Sequence, residues 1–313
     1  MASGDTTMTG KAGEPADPVL AVDIGGTTIK AEISDASGRI LAAETVPTPR
    51  GAQAFDAVAA LGDRLLARVP RAVRRAAIVM PGIVDPARSL AVFSSNIGWR
   101  DVKLGNRFDD RWAFPVLIEH DVVVAGWAEW RYGAGQGCDD VVVLMLGTGI
   151  SGTLSVAGRL VRGGAGQVGE YGHIPVRRRG GRRCPCGNVG CVETVASGPS
   201  IARAYTERTG REISGAPEVF AVLADDPHAR AVVEDAVDAL AEGLLGVLHA
   251  SCPELIVLAG GLADAGPILV DGLRERLTAL VRVVPVPRVV AGAFGARAGL
   301  VGAAGYARLG VLE

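Results

Sequence analysis

Apolar and polar positions fall along this chain in short blocks that predict strands, punctuated by longer stretches with helical spacing. From Val19, the run VLAVDIGGTTIKAEISD reads as a strand, a Gly turn and a second strand, because apolar residues flank the Gly-Gly on both sides. RILAAETVPTP continues as a third strand, and residues 52–68 carry helical spacing. AAIVMPG predicts a buried strand ending in Pro-Gly. PVLIEHD predicts another, leading into the helix-like VVVAGWAEWRYGAG. The opening theme then returns: DDVVVLMLGTGISGTLSVAGRLV is again strand, Gly-rich turn, strand. This weak internal repeat predicts duplicated lobes rather than a solenoid. AVVEDAVDALAEGLLGVLHASC predicts a long amphipathic helix, ELIVLAGG a buried strand ending at paired glycines, and AGLVGAAGYARL a closing helix. The expected organisation is a disordered lead-in over 1–18, an N-terminal lobe over 19–125 closed by a helix at about 299–313, and a larger lobe over 126–298.

Composition narrows this picture. Aromatics make up only 4% of the 313 residues while hydrophobic residues reach 49%, so the interior must be built mainly from Ala, Val and Leu. That suits helices laid on buried parallel strands. The 43 glycines exceed what strands and helices use, so turns and backbone-lined loops must carry several. A net charge of −2 points to neither nucleic acid nor an anionic membrane. Arg177, Arg178, Arg179, Arg182 and Arg183 form one basic cluster, read as a solvated loop with a nucleic-acid site as the competing reading. No apolar run approaches the ~20 residues of a membrane span, and the polar lead-in lacks the apolar core of a signal peptide. The expectation is a cytoplasmic protein without membrane or nucleic-acid partners.

Two Gly turns carry candidate chemistry. Glycine lets backbone N–H groups approach phosphate oxygens with no Cβ in the way, and threonine adds a hydroxyl. Gly25, Gly26 and Thr27 form the first turn, and Gly147, Thr148 and Gly149 the second. Asp23, at the end of the strand before the first turn, is placed to hold Mg²⁺ directly or through water. Both turns read equally as tight hairpins without a ligand. Gly147 to Gly152 also fits G-x-G-x-x-G, but a dinucleotide fingerprint needs its last glycine to open a helix, and TLSVAGRLV alternates like a strand. No Walker A loop is present.

The strongest local signal is Cys184-Pro-Cys186-Gly-Asn-Val-Gly-Cys191, three of the five cysteines in eight residues, with His173 as a fourth ligand. Cys₃His predicts a closed, tetrahedral, structural Zn²⁺ site; reduced, metal-free cysteines are the alternative. Cys138 and Cys252 stand apart and read as ordinary small apolar residues.

Taken together, DIGGTTIK (Asp23 to Lys30), PGIVD, SSNIGW, EHD, LGTGISG, GEYGH, CPCGNVGCVE and LAGG resemble, in this order, the ROK family of sugar kinases and sugar-responsive repressors, and within it the glucokinase-like enzymes. The resemblance covers nearly the whole chain from Val19. It implies an α/β, two-lobed, actin-like or hexokinase-like ATPase fold, with duplicated ribonuclease-H-like lobes, a zinc-braced loop and an active site between the lobes. It implies ATP and Mg²⁺ as cofactors, with Asp23, Gly25, Gly26, Thr27 and Lys30, and Gly147, Thr148 and Gly149, as the phosphate segments. Gly260 and Gly261 resemble the adenosine-side turn. Glu170, His173, Glu193, Asn96 and His120 resemble the sugar ligands, and Asp121 the catalytic aspartate. On the residue alone, Asp121 reads equally as the N-cap of the following helix.

The implied reaction is ATP-dependent phosphorylation of a hexose, glucose to glucose 6-phosphate first, with Asp121 taking the proton of the attacking hydroxyl. One departure bears on the sugar. The family pattern is Asn-Asp-Ala-Asn around the catalytic aspartate, and this chain has His120-Asp121-Val122-Val123. A kinase for mannose or an N-acetylated amino sugar is therefore the competing expectation, followed by a non-catalytic sugar sensor. Family repressors carry an added helix-turn-helix domain, for which the residues before the first strand are too few. A dimer or tetramer is a further family expectation.

Overall fold

The structure, a computed structural model, describes residues 17–69, 73–263 and 266–312. The predicted lead-in lies outside the described residues except for Asp17 and Pro18.

From the N-terminus, the chain runs through β1 (Val19–Ile24), β2 (Thr28–Ser34), β3 (Ile40–Pro47), α1 (Ala52–Arg68), β4 (Ala76–Met80), β5 (Ile83–Asp85), β6 (Leu90–Ser94) and β7 (Trp99–Lys103). It continues through α2 (Gly105–Trp112), β8 (Val116–His120), α3 (Asp121–Arg131), β9 (Val141–Leu146), β10 (Ile150–Val156) and β11 (Arg159–Leu160). Then come α4 (Glu193–Ala196), α5 (Gly198–Thr209), α6 (Ala216–Ala221), α7 (Pro227–Ser251), β12 (Leu255–Ala259), α8 (Pro267–Leu280), β13 (Arg288–Ala291) and α9 (Ala298–Leu309). The chain divides into two units. One extends to Ala128 and takes back the C-terminal segment from Arg297; the other is Glu129–Ala296.

In the first unit the sheet order is β3-β2-β1-β4-β8. β1, β2 and β3 form an antiparallel meander, while β4 and β8 add in parallel to β1. Period-two alternation sorts the two faces. Leu20, Val22 and Ile24 of β1 pack with Phe55, Val58, Leu61 and Leu65 of α1. Val19 and Ala21 pack with Leu300, Ala303, Ala304 and Ala307 of α9, which places Asp23 on the α9 face. One face of α9 is kept small because its backbone lies close to α3: a Cβ on Gly302 would collide with the Val124 carbonyl. A buried Arg308 ties the end of α9 to the Ser34 carbonyl and hydroxyl and the Asp35 carbonyl.

The second unit repeats the plan. Its sheet order is β11-β10-β9-β12-β13, with β9, β10 and β11 antiparallel and β12 and β13 added in parallel. The faint repeat in the sequence is thus one strand order used twice. α7 and α8 cover one face, where Leu240, Leu244 and Leu248 meet Leu144, Leu146 and Leu258. α7 begins at Pro227, four residues before the predicted run, because Asp226 caps it by accepting the His228 and Ala229 N–H groups. The fully buried Glu129 carboxylate accepts the N–H groups of Ala293 and Phe294 at 2.8 Å each, fixing the turn after β13.

Three features escaped the sequence pattern. α2, amphipathic but only eight residues long, α8 and the small β5-β6-β7 sheet lie outside the elements the sequence pattern predicts. Gly152 lies inside β10, so the G-x-G-x-x-G run opens a strand and the dinucleotide reading is excluded. Cys252 is not a buried apolar residue: it is exposed, at φ 44° where α7 ends.

Candidate active site

Sequence places Asp23 at the end of β1, and the fold surrounds it. It pairs in register with Lys30 across β1 and β2, so both side chains share a face. Gly299, in the first turn of α9, stands over the carboxylate: a Cβ there would lie 2.7 Å from Oδ2. Burial, reinforced by the negative charge of Asp121 and opposed by Lys30, pushes the Asp23 carboxyl up to about 6. The turn that follows is a built structure. Gly25 N–H donates to the Thr28 carbonyl, and Thr48, just after β3, closes the turn with its N–H to the Thr27 carbonyl and its hydroxyl to the Gly25 carbonyl. Gly26 and Thr27 remain exposed at the tip. Asn96, in the turn between β6 and β7, lies against Gly26, 3.7 Å from where a Cβ would be. That turn is pinned by Gly98 N–H to the Ser94 carbonyl and by Gly51 N–H to the Ile97 carbonyl.

Asp121 is the first residue of α3, directly after β8. Its carboxylate accepts the N–H of its neighbour Val122 at 2.7 Å. An N-cap instead accepts from the second or third helical N–H, so the bond seen is not the capping one. His120 Nδ1 lies 3.5 Å from Asp121 Oδ1, and both side chains are about a quarter exposed, at 24% and 28%. First-unit geometry thus brings together Asp23, Lys30, the Gly25–Thr27 turn, Asn96, His120 and Asp121.

The second unit gathers the remaining residues at the ends of β9 and β12. The Gly147–Gly149 turn is braced by Gly198 N–H to the Gly147 carbonyl, and Leu262 N–H donates to the Leu146 carbonyl. Gly260 requires glycine on two counts: φ is +88°, and a Cβ would stand 2.5 Å from the Leu146 carbonyl oxygen. Gly260 and Gly261 therefore sit beside the Gly147 turn. Glu193, first residue of α4, accepts the Ile150 N–H at 2.8 Å, and its Oε2 would lie 2.7 Å from a Cβ on Gly149. Glu170 precedes and His173 ends a single 3-10 turn, Tyr171–His173, with His173 Nε2 3.8 Å from Glu170 Oε2.

The other nitrogen of His173 faces sulfur. Nδ1 lies 3.5 Å from Cys184 Sγ, and Cys186 Sγ lies 3.7 Å from Cys191 Sγ. All four donor atoms fall within 4.8 Å of one another. Ligands about 2.3 Å from a tetrahedral zinc stand roughly 3.7 Å apart, so the donor set fits that metal. Turns around Gly187 and Gly190, at φ +98° and +72°, let the loop fold back on itself. Burial pushes the Cys191 thiol up to about 12 and also raises Cys184, while the Asn188 N–H holds the exposed Cys186 below the usual thiol range.

Sequence reasoning missed Gly299 and Glu129. The signal for Gly299 was its spacing from Gly302, one helical face of α9 kept free of side chains. Glu129 gave none, since a lone acid in an apolar helix reads as a solvated position.

Two lobes with one strand order, each ending its first strand at a Gly turn, define the α/β fold of the ROK sugar kinases. The chain belongs to the ROK family, whose model matches residues 19–309. It is 34% identical to a glucokinase of Streptomyces coelicolor, over 92% of this chain and 97% of that one. The crystal structure of a ROK family glucokinase from Streptomyces griseus, in complex with glucose and AMPPNP, is 33% identical, with a TM-score of 0.78 over 93% of this chain and 99% of that one. An N-acetylmannosamine kinase of Salmonella heidelberg is 29% identical over 91% of this chain and 96% of that one. No helix among the described residues is long and apolar enough to cross a membrane.

Proposed function

We propose that this chain, an ATP-dependent sugar kinase, phosphorylates a hexose, glucose before others, with Asp121 as the general base. The observation that carries the reading is the contrast between two neighbouring carboxylates. Asp23 is half-buried beneath Gly299, and desolvation and the charge of Asp121 raise its pKa to about 6. It therefore gains most from a cation. Asp121 remains partly open, where a substrate hydroxyl can reach it.

In this reading the fold is the hexokinase-like ATPase architecture with a zinc-braced loop. Gly25, Gly26, Thr27 and Lys30, with Gly147, Thr148 and Gly149, position the phosphates, and Gly260 and Gly261 hold the adenosine side. Glu170, His173, Glu193 and Asn96 fix the hydroxyls of the sugar by number and stereochemistry. Asp121 accepts the proton of the attacking 6-hydroxyl as its oxygen bonds to the γ-phosphorus, and ADP leaves. Mg²⁺, when bound with the nucleotide, neutralises phosphate charge, and Asp23 is the residue that would hold it. Zn²⁺ would be held by His173, Cys184, Cys186 and Cys191. A metal on Nδ1 leaves the hydrogen of His173 on Nε2, which makes that nitrogen a donor toward a sugar hydroxyl.

A second substrate reading, an N-acetylated amino sugar, is favoured by His120 at the asparagine position of the family pattern. Assaying ADP release across glucose, mannose and N-acetylmannosamine decides between them. Turnover with glucose at the highest kcat/KM supports the first reading, and no turnover with any sugar overturns both.

A further inference from the structure

Glu129, near the end of α3, is fully buried at a position where a helix packed into an interior ordinarily carries an apolar side chain. Backbone donors surround its carboxylate. Oε1 accepts the Phe294 N–H and Oε2 the Ala293 N–H at 2.8 Å each, and the Ala134 N–H adds a longer bond to Oε2 at 3.4 Å. Two glycines make room for it. A Cβ on Gly292 would lie 2.8 Å from Oε1, and a Cβ on Gly133 would collide with Oε2. An apolar residue in place of Glu129 would strip the Ala293 and Phe294 N–H groups of these acceptors. The carboxylate therefore sets the backbone of the turn after β13.

That turn is built onto the end of β12. Gly292 N–H donates to the Leu258 carbonyl at 2.7 Å, and a Cβ on Gly292 would stand 2.9 Å from the Cβ of Ala259. Ala259 is the last residue of β12, and Gly260 and Gly261 follow it directly. Because β12 and β13 run parallel, both turns leave the same end of the sheet. Parallel sheets bind ligands beyond that end, where the strands reach their C-termini.

We infer that Glu129 is a positioning residue for the nucleotide. Through the 292–294 turn it holds the end of β12, and so Gly260 and Gly261, in the arrangement that receives the adenosine side. Being buried, it acts through this backbone and not by touching the nucleotide. The role rests on the assignment of Gly260 and Gly261 to adenosine.

The test is equilibrium titration of the zinc-loaded full chain with ADP and, separately, with glucose. Glu129→Gln keeps the length and shape of the side chain but turns one acceptor into a donor facing a backbone N–H. ADP affinity is expected to fall about tenfold, with glucose affinity within about twofold of wild type and zinc content unchanged. Gly133→Ala, which presses on Oε2 while leaving the acid and the 292–294 turn unsubstituted, should weaken ADP in the same selective way. It carries the test if the Gln variant does not fold. Equal weakening of ADP and glucose reduces Glu129 to a structural residue and overturns the inference, as does unchanged ADP affinity in the folded variants. Gly261→Val separates this failure from that of the underlying assignment, since nothing in the protein lies within 4 Å of a Cβ there. ADP affinity unmoved by Val at 261, or no ADP binding by wild type, overturns the adenosine assignment and the role with it. ADP weakened by Val at 261 but not by Glu129→Gln overturns the role of Glu129 alone.

Discussion

Gly299 lies over the carboxylate of Asp23, so closely that a single added methyl group would reach within 2.7 Å of Oδ2. The C-terminal helix thus shapes the half-buried Asp23 carboxylate beside the first Gly turn. Gly299→Ala should gain helix propensity of about 1 kcal/mol in the backbone while forcing Asp23 aside. We predict that melting changes by only a few degrees while kcat falls about tenfold or more, because displaced catalytic groups lose positioning. Steady-state kinetics beside thermal melts check this. Equal losses in both would reduce Gly299 to a packing residue.

Asp23 itself should make the fold weaker above its own titration. Its pKa is raised to about 6, so the folded state holds the proton between the ordinary carboxylate range and pH 6 while the unfolded chain has released it. Stability is therefore present at low pH and declines as pH rises from about 4 to about 6, by an amount of order 2–3 kcal/mol. Asp23→Asn should remove that slope, melt higher than wild type at pH 7 and show no gain at pH 4, while losing activity. Melting curves at several pH values measure it. An Asn variant less stable at pH 7 would contradict the account.

Removal of zinc should cost structure before chemistry. The four donors come from an irregular loop whose backbone bonds, such as Val176 N–H to the Gly190 carbonyl and Cys184 N–H to the Asn188 carbonyl, bring His173 and the three sulfurs together, and a metal would lock that arrangement. One zinc per chain is predicted. Cys191→Ala or exhaustive chelation should lower the melting temperature and raise the KM for sugar more than it lowers kcat. A zinc-free protein with wild-type melting and KM would end the bracing role.

His120→Asn restores the family pattern beside the catalytic residue. We predict that it lowers the KM for glucose relative to that for N-acetylmannosamine by several-fold, since hydrogen bonds to sugar hydroxyls decide such ratios. An unchanged ratio would show that His120 does not face the sugar.

Much of this was legible because it is local. β1, its turn and β2 could be read from apolar runs around Gly25 and Gly26, and the cysteine loop from spacing alone. What escaped depends on partners far away in sequence. The cluster from Arg177 to Arg183 looked like one solvated basic loop. In the fold Arg177 pairs with Asp235 and Glu242, Arg182 pairs with Glu207, and Arg183 turns to a cavity with Arg203. Likewise, the crowding of Gly299 against Asp23 joins positions 276 residues apart, which no periodicity can report.

The central claim rests on Asp121, and the most direct measurement is the turnover of Asp121→Asn beside its equilibrium affinity for sugar. A base that acts only on the attacking hydroxyl predicts that kcat falls by about 10³-fold while sugar affinity stays within a few-fold of wild type. Near-normal turnover with Asn at position 121 would contradict it.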